Sequence, residues 1–205
     1  MKFRSIKKAA AYLSILLIPM GVFAESTRIS DENAPFFYEA NAEIKIPDHK
    51  LAQYISSDYR NARDEFTRHD LFQQIKPVID KRLSKAKKTK AVLLRIGTDL
   101  GDYNFDKKSF STGIGATTYI PFDNGYAVTF TNGEKIQFLP VPMDLARTLS
   151  GELRRDRSAT FTIYGQVVGT KEEELGWKTK KAIKIKITKI EAILGSGTKI
   201  GSKKL

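Results

Sequence analysis

Asp102, Asn104 and Asp106 alternate with Tyr103 and Phe105, which puts three oxygen-bearing side chains at the two-residue spacing that opens a calcium loop. The sequel does not fit that use, because Lys107 stands where the loop needs its turn glycine and Gly113 where a closing glutamate would chelate. The segment reads instead as a strand or turn with a polar outer face and two inward aromatics. His49 and His69, the two histidines, form no H-x-H or H-x-x-x-H pair, so no metal site is expected from them. His69 adjoins Asp70, yet no G-x-S-x-G elbow presents a serine to it. The chain has no cysteine, which removes thiol nucleophiles, thiolate metal sites and disulfides. Gly113-Ile114-Gly115 lacks the further glycine of a dinucleotide loop and reads as a strand connection. Paired carboxylates need no local motif, so Glu152 with Asp156, or Asp99 with Asp102, are arbitrary choices for a hydrolase. No cofactor is implied, and a non-enzymatic role is favoured over catalysis.

Charge is the stronger signal. The chain carries 35 Lys+Arg against 23 Asp+Glu, a formal net charge of +12. The excess is uneven: residues 25–80 hold 7 bases and 11 acids, and residues 81–205 hold 24 bases and 12 acids. Within the run Lys81–Lys90, Lys81, Lys85 and Lys88 lie opposite the apolar face made by Ile75, Ile79, Leu83 and Ala86 on a helical wheel. Lysines there complement the negative end of a helix dipole, and they also suit an anion-binding patch. Lys184 and Lys186 alternate with Ile183, Ile185 and Ile187, so they project together from one strand face, about 7 Å apart. They could bind anions or protect an edge strand from pairing with a neighbour. Trp177, the single tryptophan, falls in a loop over 171–179 and is a candidate binding anchor.

The N-terminus says where such a surface would work. Lys2, Arg4, Lys7 and Lys8 precede the apolar run Ala9–Leu17, and Pro19 and Gly21 precede Val22-Phe23-Ala24, the pattern of a secretory signal peptide over 1–24 cut before Glu25. The apolar run is shorter than the ~18–20 residues of a membrane span, so the mature chain is expected without one. Periplasmic or secreted placement makes an anionic envelope lipid or glycan the favoured partner, another protein the second choice, and nucleic acid a poor one.

The elements that must position these residues follow from periodicity. Residues 25–46 show no regular period and are expected as an irregular arm docked by Phe36, Phe37 and Tyr38. Apolar positions from Leu51 to Phe66 predict a helix over about 49–68, and Asp70 with Gln73 starts a second helix that Pro77 should kink or divide. These two form a helical hairpin. Ala91–Ile96 is a strand, and Tyr126, Val128 and Phe130 return through an Asn132-Gly133 type I′ turn to Ile136 and Phe138. Asn124-Gly125 makes a second turn after a strand over Thr117–Phe122, which Pro121 places at a sheet edge or at the strand's end. Leu145, Leu149 and Leu153 mark a short helix with Arg154, Arg155 and Arg157 at its end. Two long alternating runs, around Phe161–Val167 and Ile183–Ile187, should pair antiparallel, with a bulge near Thr188-Lys189 because Ile187 and Ile190 are out of phase.

Leu100-Gly101-Asp102-Tyr103-Asn104-Phe105, with Phe110 and the upstream Asp64-Glu65-Phe66, resembles a bacterial family of secreted proteins known as a domain of unknown function. That resemblance implies no activity and transfers no functional residue. The expected architecture is one α+β domain over 47–194, with an antiparallel sheet of five to seven strands, open or partly closed, an N-terminal helical hairpin and one later helix. A flexible tail should follow over 195–205. A small envelope-polymer hydrolase and a secreted protein-interaction factor are the alternatives to a basic binding module.

Overall fold

The structure, a computed structural model, describes residues 26–175 and 178–205. Residues 1–24, expected as a signal peptide, and Trp177 lie outside the described residues. At the centre stands a long antiparallel hairpin of β8 (Ser158–Leu175) and β9 (Lys178–Leu194). Their alternation buries Phe161, Ile163 and Val167 against Ile183, Ile185 and Ile187. Tyr164 pairs with Lys189 and Gly165 with Ile187, so Thr188 is the extra residue. This bulge corrects the phase slip and lets Ile187 and Ile190 share the core.

β2 (Ala91–Asp99) adds to β8 antiparallel, and β1 (Thr27–Arg28) adds to β2 parallel. On the other side of β9 run β6 (Tyr126–Phe130), parallel, and β10 (Lys199–Lys204), antiparallel. β5 (Tyr119–Pro121) pairs with β6 at the sheet edge, where Pro121 sits opposite Ala127 and its missing N–H leaves no bond unmade. The result is a mixed, open sheet of seven strands in an α+β fold rather than a purely antiparallel or closed one. Parallel pairing of β6 with β9 is possible because a long crossover separates them in sequence.

That crossover also overturns the expected Asn132-Gly133 hairpin. After β6 the chain continues along β9: Thr131 N donates to Ile185 O at 3.0 Å, and a 3₁₀ turn follows over Gly133–Ile136. The next strand, β7 (Phe138–Pro140), joins β4 (Ser109–Ser111), which pairs with β3 (Tyr103–Asn104), in a separate three-stranded sheet. Asn132 has φ −142°, so no left-handed turn forms there. The glycine at 133 serves close approach instead, since an added Cβ would strike the Gly115 carbonyl, whose carbon lies 2.9 Å away. Gly133→Val should therefore cost about 1–3 kcal/mol by overpacking against backbone. An unchanged denaturation midpoint would refute that contact. The second Asn-Gly behaves as expected: Gly125 takes φ +86°, and Phe122 N donates to Tyr126 O at 2.8 Å to close the β5–β6 turn.

The N-terminal arm is not irregular. It contains α1 (Ala34–Asn41), with Pro35 in the first turn and Ala34–Ala40 all buried. α1 packs on the sheet, and α4 (Glu65–Lys88) packs on α1, so α1 is the middle of three layers. A helix covered on both sides carries no single apolar stripe, which is why its sequence lacks a helical period. The expected helix over 49–68 divides into α2 (Asp48–Ala52) and α3 (Ser57–Asn61), because Ser56 accepts the Tyr59 N–H at 3.1 Å and caps a new start. α4 is capped by Asp64, which accepts the Thr67 N–H at 2.8 Å, and runs 24 residues through Pro77 without dividing. A single long helix preceded by two short turns thus replaces the expected hairpin. The tail is ordered as β10, with Ile200 buried and Leu205 N donating to Thr188 O at 2.9 Å.

One polar cluster ties the layers together. Glu39 of α1, only 1% exposed, accepts from Lys181 Nζ at 3.3 Å, from the Tyr126 hydroxyl at 3.4 Å and from Ile46 N at 3.0 Å. The neighbouring Tyr38 hydroxyl is pushed up to about 12 by burial and by Glu172, to which it donates at 3.4 Å. Burial likewise raises Tyr126, with Tyr54 and Glu39 adding to it.

Candidate functional site: an arginine-rimmed groove

The two lysine sets do not meet. Lys81, Lys85 and Lys88 are exposed on α4, on the side of the sheet that α1 covers. Lys181 faces α1 through Glu39, so by strand alternation Lys184 and Lys186 stand on the opposite face, where Lys184 is half-buried and Lys186 exposed. β9 is an interior strand with β8 on one side and β6 and β10 on the other, so edge protection is not what these lysines do. On the same outer face Lys189 is engaged by Glu191 at 2.7 Å, and Tyr164 donates to Glu191 at 3.0 Å. The Lys189 hydrogen bond holds Glu191 below the usual carboxylate range, while burial and then Glu191 raise Tyr164.

A different basic site forms between the small sheet and α5 (Met143–Leu153), the helix expected from the leucine spacing. Ala146, Leu149 and Leu153 bury one face of α5. Met143, Arg147, Ser150 and Arg154 follow at spacings of four, three and four, so they form a second stripe along the exposed side. Facing them are Tyr103 and Phe110, packed edge to face at 5.0 Å, and Phe105 at 5.3 Å from Tyr103. The groove between has a volume of about 530 Å³, within the range of small-molecule sites.

β3 and α5 are held antiparallel by bonds at both ends. At one end Arg157 donates from Nε to Leu100 O at 2.8 Å and from a terminal nitrogen to Asp102 at 2.9 Å. At the other, Tyr103 donates its hydroxyl to Val141 O at 2.9 Å and Val141 N donates to Lys108 O at 3.0 Å. Asp102 and the arginines Arg154 and Arg157 therefore share one end, and Phe105 and Met143 the other. The calcium-like oxygens do not converge: Asp102 goes to Arg157, and Asn104 accepts the Lys107 N–H at 2.8 Å. Phe105, expected inward, is 69% exposed. Asp156 accepts from Ser158 N and Oγ, each at 2.8 Å, which holds its carboxyl below the usual range. His49 and His69 are both exposed, and among the described residues no three His, Asp or Glu side chains gather as a metal site.

Of the site residues, sequence periodicity places α5 and its terminal arginines but misses Arg147 as a partner of Arg154. The available signal was the M-x-x-x-R-x-x-S-x-x-x-R spacing opposite the leucines. Asp102 with Arg157, 55 residues apart, had no local signal at all.

Residues 50–149 match the family model described as Domain of unknown function (DUF4852). The match takes in the Leu100–Phe105 motif, Phe110 and α5 as far as Leu149, and leaves Arg154, Arg157 and the β8–β9 hairpin outside. Its description carries no activity. No curated protein and no solved structure matches the chain.

Proposed function

We propose that this chain is an exported, non-enzymatic binding module for an anionic component of the cell envelope. The observation that carries the reading is the groove along α5, where Arg147, Arg154 and Arg157 border an apolar floor and, among the described residues, Asp102 is the one carboxylate of the lining. Asp102 pairs with Arg157, and among the described residues neither Arg147 nor Arg154 is ion-paired. Guanidinium groups bordering a low-dielectric surface bind carboxylate or phosphate by forked hydrogen bonds, at lower desolvation cost than lysines. The basic leader-like N-terminus supports export, and among the described residues no helix is long and apolar enough to cross a membrane.

Protein recovered from the periplasm or medium, whose first residue should be Glu25, tests the reading by flotation with phosphatidylglycerol vesicles and with phosphatidylcholine vesicles. Retention should be selective for the anionic vesicles and weaken as salt approaches physiological strength, where screening acts over ~8 Å. Arg147→Glu/Arg154→Glu should lower retention at least tenfold, and Lys184→Glu/Lys186→Glu should leave it near wild type. Loss in the lysine variant alone would move the ligand to the outer sheet face. Equal retention on both vesicle types would sink the reading.

A further inference from the structure

We propose that the groove takes a single-chain anionic amphiphile, one molecule at a time, with the anionic head at the Arg154 end and the alkyl chain lying over Tyr103 and Phe110 towards Phe105 and Met143. This deepens the reading above and rests on it. Three observations converge. The groove is polarised, because the antiparallel seating of β3 on α5 puts Asp102, Arg154 and Arg157 at one end and the β3–β4 turn at the other. Its far end exposes two large apolar side chains, Phe105 at 69% and Met143 at 38%. The distance suits a chain rather than a compact ion, since Met143 and Arg154 are separated by about 16 Å of helix rise.

Each part goes unused by a simpler ligand. A small inorganic anion would use the arginines and leave Phe105 and Met143 in water. A neutral apolar ligand would cover the aromatics and make no use of Arg147 and Arg154, which among the described residues have no carboxylate partner. An anionic head joined to an alkyl chain satisfies both ends, and a groove of about 530 Å³ has room for one such chain.

Calorimetry with the protein beginning at Glu25 tests this with octyl, decyl and dodecyl phosphate below their micelle-forming concentrations, alongside inorganic phosphate and dodecyl maltoside. Affinity should rise about 2–4-fold for each added methylene, the gain for partly to fully burying it. Dodecyl phosphate should bind at least a hundredfold more tightly than inorganic phosphate and tenfold more tightly than the maltoside. Phe105→Asp/Met143→Asp should flatten the chain-length series, and Arg147→Gln/Arg154→Gln should lower binding of every alkyl phosphate about tenfold. All four side chains are exposed, and an unchanged melting curve establishes that each variant is folded. Equal binding of inorganic and dodecyl phosphate would overturn the amphiphile while leaving an anion site in place. Maltoside binding as tight as dodecyl phosphate, or no phosphate binding at all, would overturn both.

Discussion

Glu39→Ala is expected to lower the stability of the fold by about 2–4 kcal/mol, measured as a shift in the urea midpoint at constant m-value. The carboxylate is 1% exposed and accepts from three donors on three different segments: Lys181 of β9, Tyr126 of β6 and the Ile46 N–H in the loop after α1. Truncation leaves each of them without its acceptor. Breaking a buried ion pair from one side commonly costs about 3–5 kcal/mol, because the remaining charge is stranded. The lower range applies here because Lys181 is 26% exposed and can turn its ammonium towards water. Glu39→Gln keeps an oxygen for Ile46 and loses the charge, so it should fall between alanine and wild type. Alkyl phosphate affinity of the folded fraction should not change in either variant, since α1 lies in a different layer from the groove. A loss below 1 kcal/mol for alanine would show that the cluster does not hold α1 to the sheet.

Legibility in the sequence followed the range of the interactions. The β8–β9 pairing was readable down to the bulge at Thr188, because Ile187 and Ile190 can share a face only if one residue is left over, but the strands run on to Leu175 and from Lys178 through most of the expected 171–179 loop, and a second register shift falls between Val167 and Gly169. Asn124-Gly125 was readable because the turn is closed by residues four apart. α1 was not, since a helix buried between a sheet and another helix has no polar face to set a period. Composition misled at the tail, where Gly, Ser and Lys suggest mobility but Ile200 is buried and the backbone pairs with β9. The groove was half legible. Its helix and terminal arginines follow from the leucine repeat, and the Leu100–Phe105 motif marked its floor, but their juxtaposition depends on Arg157 reaching Leu100 and Asp102 across the whole crossover.

Asn132 shows the same limit most sharply, and Asn132→Ala should cost about 2–4 kcal/mol through the loss of two buried hydrogen bonds. The residue looked like half of a hairpin turn, yet its side chain acts as a piece of strand. Its Nδ2 donates to Ile187 O at 3.0 Å, and its Oδ1 accepts the Ile187 N–H at 2.8 Å. β6 pairs with β9 as far as Ile185, and β10 resumes the pairing at Lys189, so Ile187 falls in the gap between two neighbouring strands. The amide side chain fills that gap with the donor and acceptor a strand would have supplied, beside the bulge at Thr188. Alanine leaves both Ile187 groups buried without partners, and no water-filled route is needed for the cost to appear. Hydrogen exchange gives a local reading that global destabilisation alone would not: protection of the Ile187 amide should collapse, while that of Ile183 and Ile185, still paired to β6 and Thr131, should fall only with overall stability. Retained protection at Ile187 in a folded alanine variant would mean that the gap closes by direct approach of the strands, and the role assigned to Asn132 would fail.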